Sequence, residues 1–158
     1  MKSLDRYRGC LLGGAAGDAL GYTVEFLDAD SIFRRYGGEG ITEYSLVNGT
    51  AYISDDTQMT LFTANGLLLG TTRDRTRGTV GGFLDGIALC CEEWLRTQTE
   101  TYPLREGYPC SWLTNVPELF ARRAPGNTCL SAIASFRGGR RGTIGEPINN
   151  SKGCGGIM

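Results

Sequence analysis

Histidine is absent from the 158 residues. That removes Ser-His and Cys-His nucleophile pairs, HExxH zinc sites and imidazole general bases together. Catalysis by this chain must rest on carboxylates, hydroxyls, thiols, lysine or a metal held by oxygen. Lysine is nearly missing too: Lys2 and Lys152 are the only two, and the other fourteen of the sixteen basic residues are Arg. Arginine forks suit phosphate and carboxylate recognition, although genome composition produces the same bias. The net charge of -1 supplies no basic excess, which excludes electrostatically driven binding to nucleic acid or to a membrane surface. The six cysteines lack any CxxC spacing, and Cys90 and Cys91 are adjacent; they read as reduced, mostly buried cytosolic thiols. No segment approaches the roughly 20 apolar residues of a membrane span. Lys2, Arg6 and Arg8 precede an apolar stretch as in a leader peptide, but the run from Gly9 to Gly17 is short and Asp18 ends it. A cytoplasmic location is the expectation.

Hydrophobic content of 41% and charged content of 21% are those of a globular protein, with length for one domain and a real core. Leu4, Tyr7, Leu11 and Ala15 fall at helical spacing and predict a helix from Ser3 to Leu20, capped by Ser3 and ended by Gly21. Gly13, Gly14 and Gly17 lie within it, and glycine costs about 1 kcal/mol against alanine in a helix. Close approach of another helix backbone accounts for them, as does close approach of a ligand. From Val24 to Ile53 the period is lost. A second helix fits Asp55 to Leu69, closed by Gly70; the third carries the stripe Val80, Phe83, Leu84, Ile87, Cys91, Trp94 and Leu95. Then "VPELFARRA" and "TCLSAIASF" read as two shorter helices broken at "PGN", with Asn127 able to cap the second. Residues 137–158 hold seven glycines and no strand-like alternation. The expected fold class is all-α.

Four features carry candidate chemistry. In "SDDT", Ser54 is a good N-cap, and Asp55 and Asp56 stand in the first helical turn, where the macrodipole favours negative charge. Helix capping explains the stretch without function; the same three oxygen-bearing residues also suit a hard cation such as Mg²⁺. In "NNSKGCGGIM", small residues ahead of a possible helix can turn several N–H groups toward one anion, and a plain glycine-rich turn fits equally. Neither the P-loop nor the GxGxxG pattern matches there. Glu25, in "GYTVEF", has an apolar neighbourhood that would raise a carboxyl pKa and suit it to acid or base work; a solvated loop glutamate is the plainer reading. Arg137, Arg140 and Arg141 suit phosphate contacts or a solvent-facing loop.

Taken in order, "GCLLGGAAGDALGYTVEF", "YISDDTQMTL", "RRAPGNTCLSAI" and "INNSKGCGGIM" resemble the ADP-ribosylglycohydrolase family, which includes the dinitrogenase reductase-activating glycohydrolases, from about Tyr7 to the last residue. The resemblance implies a compact all-α enzyme that removes ADP-ribose from a protein side chain or small conjugate with two Mg²⁺ ions in a cleft. It makes Ser54, Asp55 and Asp56 metal ligands and puts Glu25 beside the metals as the catalytic carboxylate. The diphosphate and ribose would fall to Ser151, Lys152, Gly153, Cys154 and Gly155, with Asn127 and Asn150 of the matching segments also binding substrate.

Two departures from the family pattern matter. Where some members carry an aspartate shortly before "GNT", this chain has Ala124 and Pro125. The family also supplies a second Asp-x-Asp-Thr/Ser metal cluster in a later half, and the resemblance here stops at Met158, inside the diphosphate motif. Residues 1–158 are therefore expected to form the N-terminal portion of a single domain, holding half of a binuclear site, with weak Mg²⁺ binding and little or no activity alone. A non-catalytic relative, ADP-ribose-binding or structural as in the family's lens crystallins, is the alternative, against which the intact "SDDT" and Glu25 count.

Overall fold

The computed structural model describes residues 3–140, 142–143 and 145–151. Among them are five α-helices, two 3₁₀ turns and no strand, as the helical periods require. The chain divides into two compact units, residues 1–57 and 58–158. One helix runs through the division.

In the first unit, α1 spans Leu4–Gly21. Ser3 holds the capping position with extended backbone but makes no side-chain cap bond, and the helix closes with Tyr22 N donating to Asp18 O at 2.7 Å. The expected apolar stripe does not become a buried face, since Leu4 and Tyr7 are exposed and Ala19 is the helix's buried residue. Nor does another helix backbone meet the glycines: apart from their own stretch of helix, no described atom lies within 4 Å of where a Cβ would stand at Gly13, Gly14 or Gly17.

Helix α2, Ala29–Tyr36, corrects the expectation that the period is lost from Val24 to Ile53: Ala29, Ile32, Phe33 and Tyr36 stand at helical spacing over two turns. Asp28 starts it, accepting from Ser31 N at 2.8 Å and from the Ser31 hydroxyl at 3.1 Å. Arg34 and Arg35 occupy its last turn, where the dipole favours cations, and Gly37 ends it at φ +88°. Beyond it, Val47 and Thr50 pair across Asn48 and Gly49. Both of those central residues have positive φ, as a two-residue Asn-Gly turn demands.

Helix α3, Asp55–Arg77, passes through Gly70 without stopping. The glycine is there for packing: a Cβ at Gly66 would stand 2.5 Å from Gly86 O, and one at Gly70 would collide with Gly82 O. Two backbones thus touch through glycine, where α3 meets α4, Gly82–Thr99. Val80 lies outside α4 and is 95% exposed. The helix starts later than its apolar pattern suggests because Gly81 takes a left-handed φ of +92° and Asp74 accepts from Gly82 N at 2.8 Å.

Phe62, Cys90, Trp94, Leu113 and Leu119 form the core of the second unit, flanked by Met59, Leu61, Leu69, Val116, Leu130 and Ile133. Leu113 and Leu119 come from the 3₁₀ turns Trp112–Asn115 and Pro117–Phe120. Only the second turn forms where "VPELFARRA" predicts a helix. Ala124 has φ +57° and precedes Pro125, and a residue before proline is kept out of the helical region. Helix α5 spans Asn127–Arg137, with Gly126 rather than Asn127 at the capping position. Of the cysteines, Cys90 alone is buried among the described residues; Cys91, Cys110 and Cys129 are half-buried and Cys10 is exposed.

Candidate active site

The start of α3 and the end of α1 build the site in the first unit. Ser54 is buried, and its hydroxyl accepts from Asp56 N at 3.1 Å, the side-chain cap that the sequence predicts. Asp55 and Thr57 are buried and Asp56 half-buried. A second acceptor arrives from α1. One oxygen of Asp18, Oδ2, accepts from Ser54 N at 2.8 Å, from Thr57 N at 3.3 Å and from the Thr57 hydroxyl at 2.5 Å. These bonds satisfy donors that a helix start leaves unpaired, and they place negative charge where the dipole favours it.

Asp18 is a site residue that the sequence pattern does not single out, since there it only ends an apolar run. A signal is present all the same: one acid in the glycine- and alanine-rich stretch "GGAAGDALG" must find donors if the helix packs.

Glu25 follows α1 in a run of turns, with Val24 N donating to Gly21 O and Leu27 N to Val24 O. It is exposed, yet its carboxyl is held above the usual range, chiefly by partial loss of water and then by the charges of Asp56, Asp55 and Asp18. Asp56 is raised in the same way, by burial first and then by Asp18. Four carboxylates therefore feel one another at the start of α3.

Cation binding can be tested against this donor set. Among the described residues, no three acidic, cysteine or histidine groups converge closely enough to hold an ion on their own. Magnesium does not require that, because it keeps several waters and takes one or two carboxylates plus substrate oxygens. Asp55, Asp56 and the Ser54 hydroxyl are oxygen donors only, and the hydroxyl that accepts from Asp56 N retains a second lone pair. The set fits Mg²⁺ with its coordination completed by water. The stretch Asp28-Ala29-Asp30-Ser31 also reads Asp-x-Asp-Ser; there the Asp28 carboxylate is engaged as the exposed cap of α2, and its bonds with Ser31 lower its pKa.

The other expected site residues lie in the second unit. Asn127 is the first residue of α5 and is exposed. Its neighbour Thr128 donates its hydroxyl to Ser151 Oγ at 3.2 Å, and Ser151 N donates to Asn149 Oδ1 at 3.0 Å. The α5 start and the first residue of the "SKGCGG" stretch are thereby brought together. Asn150 is exposed. Lys152, Gly153, Cys154 and Gly155 lie outside the described residues, as does Arg141.

The fold is an all-helical one whose candidate acid–base groups are carboxylates. The chain belongs to the ADP-ribosylglycohydrolase family, whose model matches residues 1–158. Membership makes it a hydrolase of that general type, directed at ADP-ribosylated substrates. Neither a curated protein nor a solved structure matches the chain. No helix of the described residues is long and apolar enough to cross a membrane.

Proposed function

We propose that the protein hydrolyses the glycosidic bond between ADP-ribose and a protein side chain or small conjugate, in a Mg²⁺-dependent reaction. The observation that carries this reading is the gathering of Glu25, Asp55, Asp56 and Asp18 at one helix start, where partial loss of water and then the neighbouring charges hold the Glu25 carboxyl above its usual range. Ser54, Asp55 and Asp56 would hold the cation. Bound there, it would supply Lewis-acid stabilisation of charge and lower the pKa of water. Glu25 orients the attacking water and takes its proton, a task that falls to a carboxylate in a chain without histidine. Asp18 accepts from Ser54 and Thr57 and so fixes the turn that carries Asp55 and Asp56.

Asn127, Asn150 and Ser151, continuing through Lys152, Gly153, Cys154 and Gly155, take the ADP-ribose portion. The pairing of Thr128 with Ser151 supports one binding surface at the α5 start. The test is release of ADP-ribose from an ADP-ribosylated acceptor with Mg²⁺ present and after chelation.

A further inference from the structure

Gln58 is 1% exposed, among the most buried side chains of the protein, and it directly follows Thr57 in α3. Its Oε1 accepts from Trp94 Nε1 at 3.1 Å and from Gln98 Nε2 at 3.1 Å, while its Nε2 donates to Ala121 O at 3.0 Å. Trp94 and Gln98 are themselves buried, and Gln98 Nε2 also donates to Thr97 Oγ1 at 2.9 Å. One side chain thus joins α3 to α4 and to the backbone just past the second 3₁₀ turn.

Packing does not explain this choice. An apolar residue of the same length would fill the space, and burying an amide is unfavourable unless it is hydrogen-bonded. What the amide adds is direction: three bonds to partners on two other segments fix both the rotation of α3 about its axis and its position along it. The helix backbone is continuous from Asp55 through Gln58, so an error of rotation at Gln58 passes to the turn before it, at 3.6 residues per turn.

We propose that Gln58 is a positioning residue for the candidate active site, setting the directions in which Asp55 and Asp56 present their carboxylates. The proposal rests on the reading of those residues as cation ligands. It extends that reading to a side chain that touches neither cation nor substrate.

The test is Mn²⁺ titration calorimetry of the purified protein and its Gln58→Met and Trp94→Phe variants, well below each unfolding midpoint, with hydrogen exchange of the Asp56, Thr57 and Gln58 amides. Gln58→Met should bind Mn²⁺ severalfold more weakly, and those amides should exchange faster. Trp94→Phe removes one donor and keeps an aromatic ring in place; it should show a smaller loss, not additive with the first. A folded Gln58→Met protein with unchanged Mn²⁺ affinity and unchanged exchange overturns the proposal. If Gln58→Met does not fold, Trp94→Phe decides by the same two readouts. Failure of the unsubstituted protein to bind Mn²⁺, or Asp55→Ala binding it equally well, overturns the cation reading instead. Exchange of the three amides then decides whether Gln58 fixes the turn.

Discussion

Asp18 and Thr57 are joined twice, the Asp18 Oδ2 atom accepting from both the amide and the hydroxyl of Thr57 at 3.3 and 2.5 Å. With the bond from Ser54 N, a single carboxylate oxygen from α1 holds the opening of α3. The acidic helix start is therefore braced by a further acid, and the brace is itself part of the charge that the start must bear.

Asp18→Asn tests which effect dominates. The substitution weakens three bonds to a charged acceptor, and one such bond contributes roughly 1.5–3 kcal/mol. It also removes a like charge, but Asp18 comes after burial among the causes that raise Asp56, and last among those that raise Glu25. The loss of bonds should win. Urea unfolding should show a decrease of about 1.5 kcal/mol or more, and an unchanged or higher midpoint would mean that repulsion governs the site.

The glycines divide into two groups with opposite expected responses. Gly66→Ala drives a Cβ to 2.5 Å from Gly86 O, and overpacking of this kind costs about 1–3 kcal/mol. Gly17→Ala meets open space within α1, so the helix gains up to about 1 kcal/mol from alanine's propensity. Thermal unfolding of the two variants should move in opposite directions. A destabilised Gly17→Ala protein would show that a backbone does approach this part of α1.

The thiols should label in an order set by burial. Burial, followed by the nearby Glu93 charge, pushes the Cys90 thiol up to about 12, which leaves roughly one part in ten thousand as thiolate at pH 8. Cys10 is exposed. Alkylation followed by peptide mass spectrometry should modify Cys10 in the native protein within minutes and leave Cys90 intact until unfolding. Early modification of Cys90 would mean that the α4 core opens readily.

Much of this architecture is legible from residue patterns, for physical reasons that particular elements make plain. The periods of α1, α3 and α4 and the Ser54 cap are readable because capping and helix spacing are local properties. Helix α2 is harder to read because its apolar stripe, Ala29, Ile32, Phe33 and Tyr36, spans only two turns inside a polar stretch, although Asp28 three residues before Ser31 carries its start signal. Gly70 looks like a stop because its purpose is nonlocal, a contact with Gly82. The same limit hides Asp18 and Gln58, whose partners are 36 or more residues away. Family resemblance reaches Ser54, Asp55, Asp56 and Glu25; the side chains that hold their turn in place need three-dimensional contacts.

The most direct measurement is the release of ADP-ribose from an ADP-ribosylated protein acceptor by the purified protein. We expect release that requires Mg²⁺, stops in excess EDTA and is lost in Asp55→Ala and in Asp56→Ala. Equal turnover by the Asp55→Ala/Asp56→Ala double variant, or undiminished turnover in EDTA, would contradict the metal-dependent mechanism.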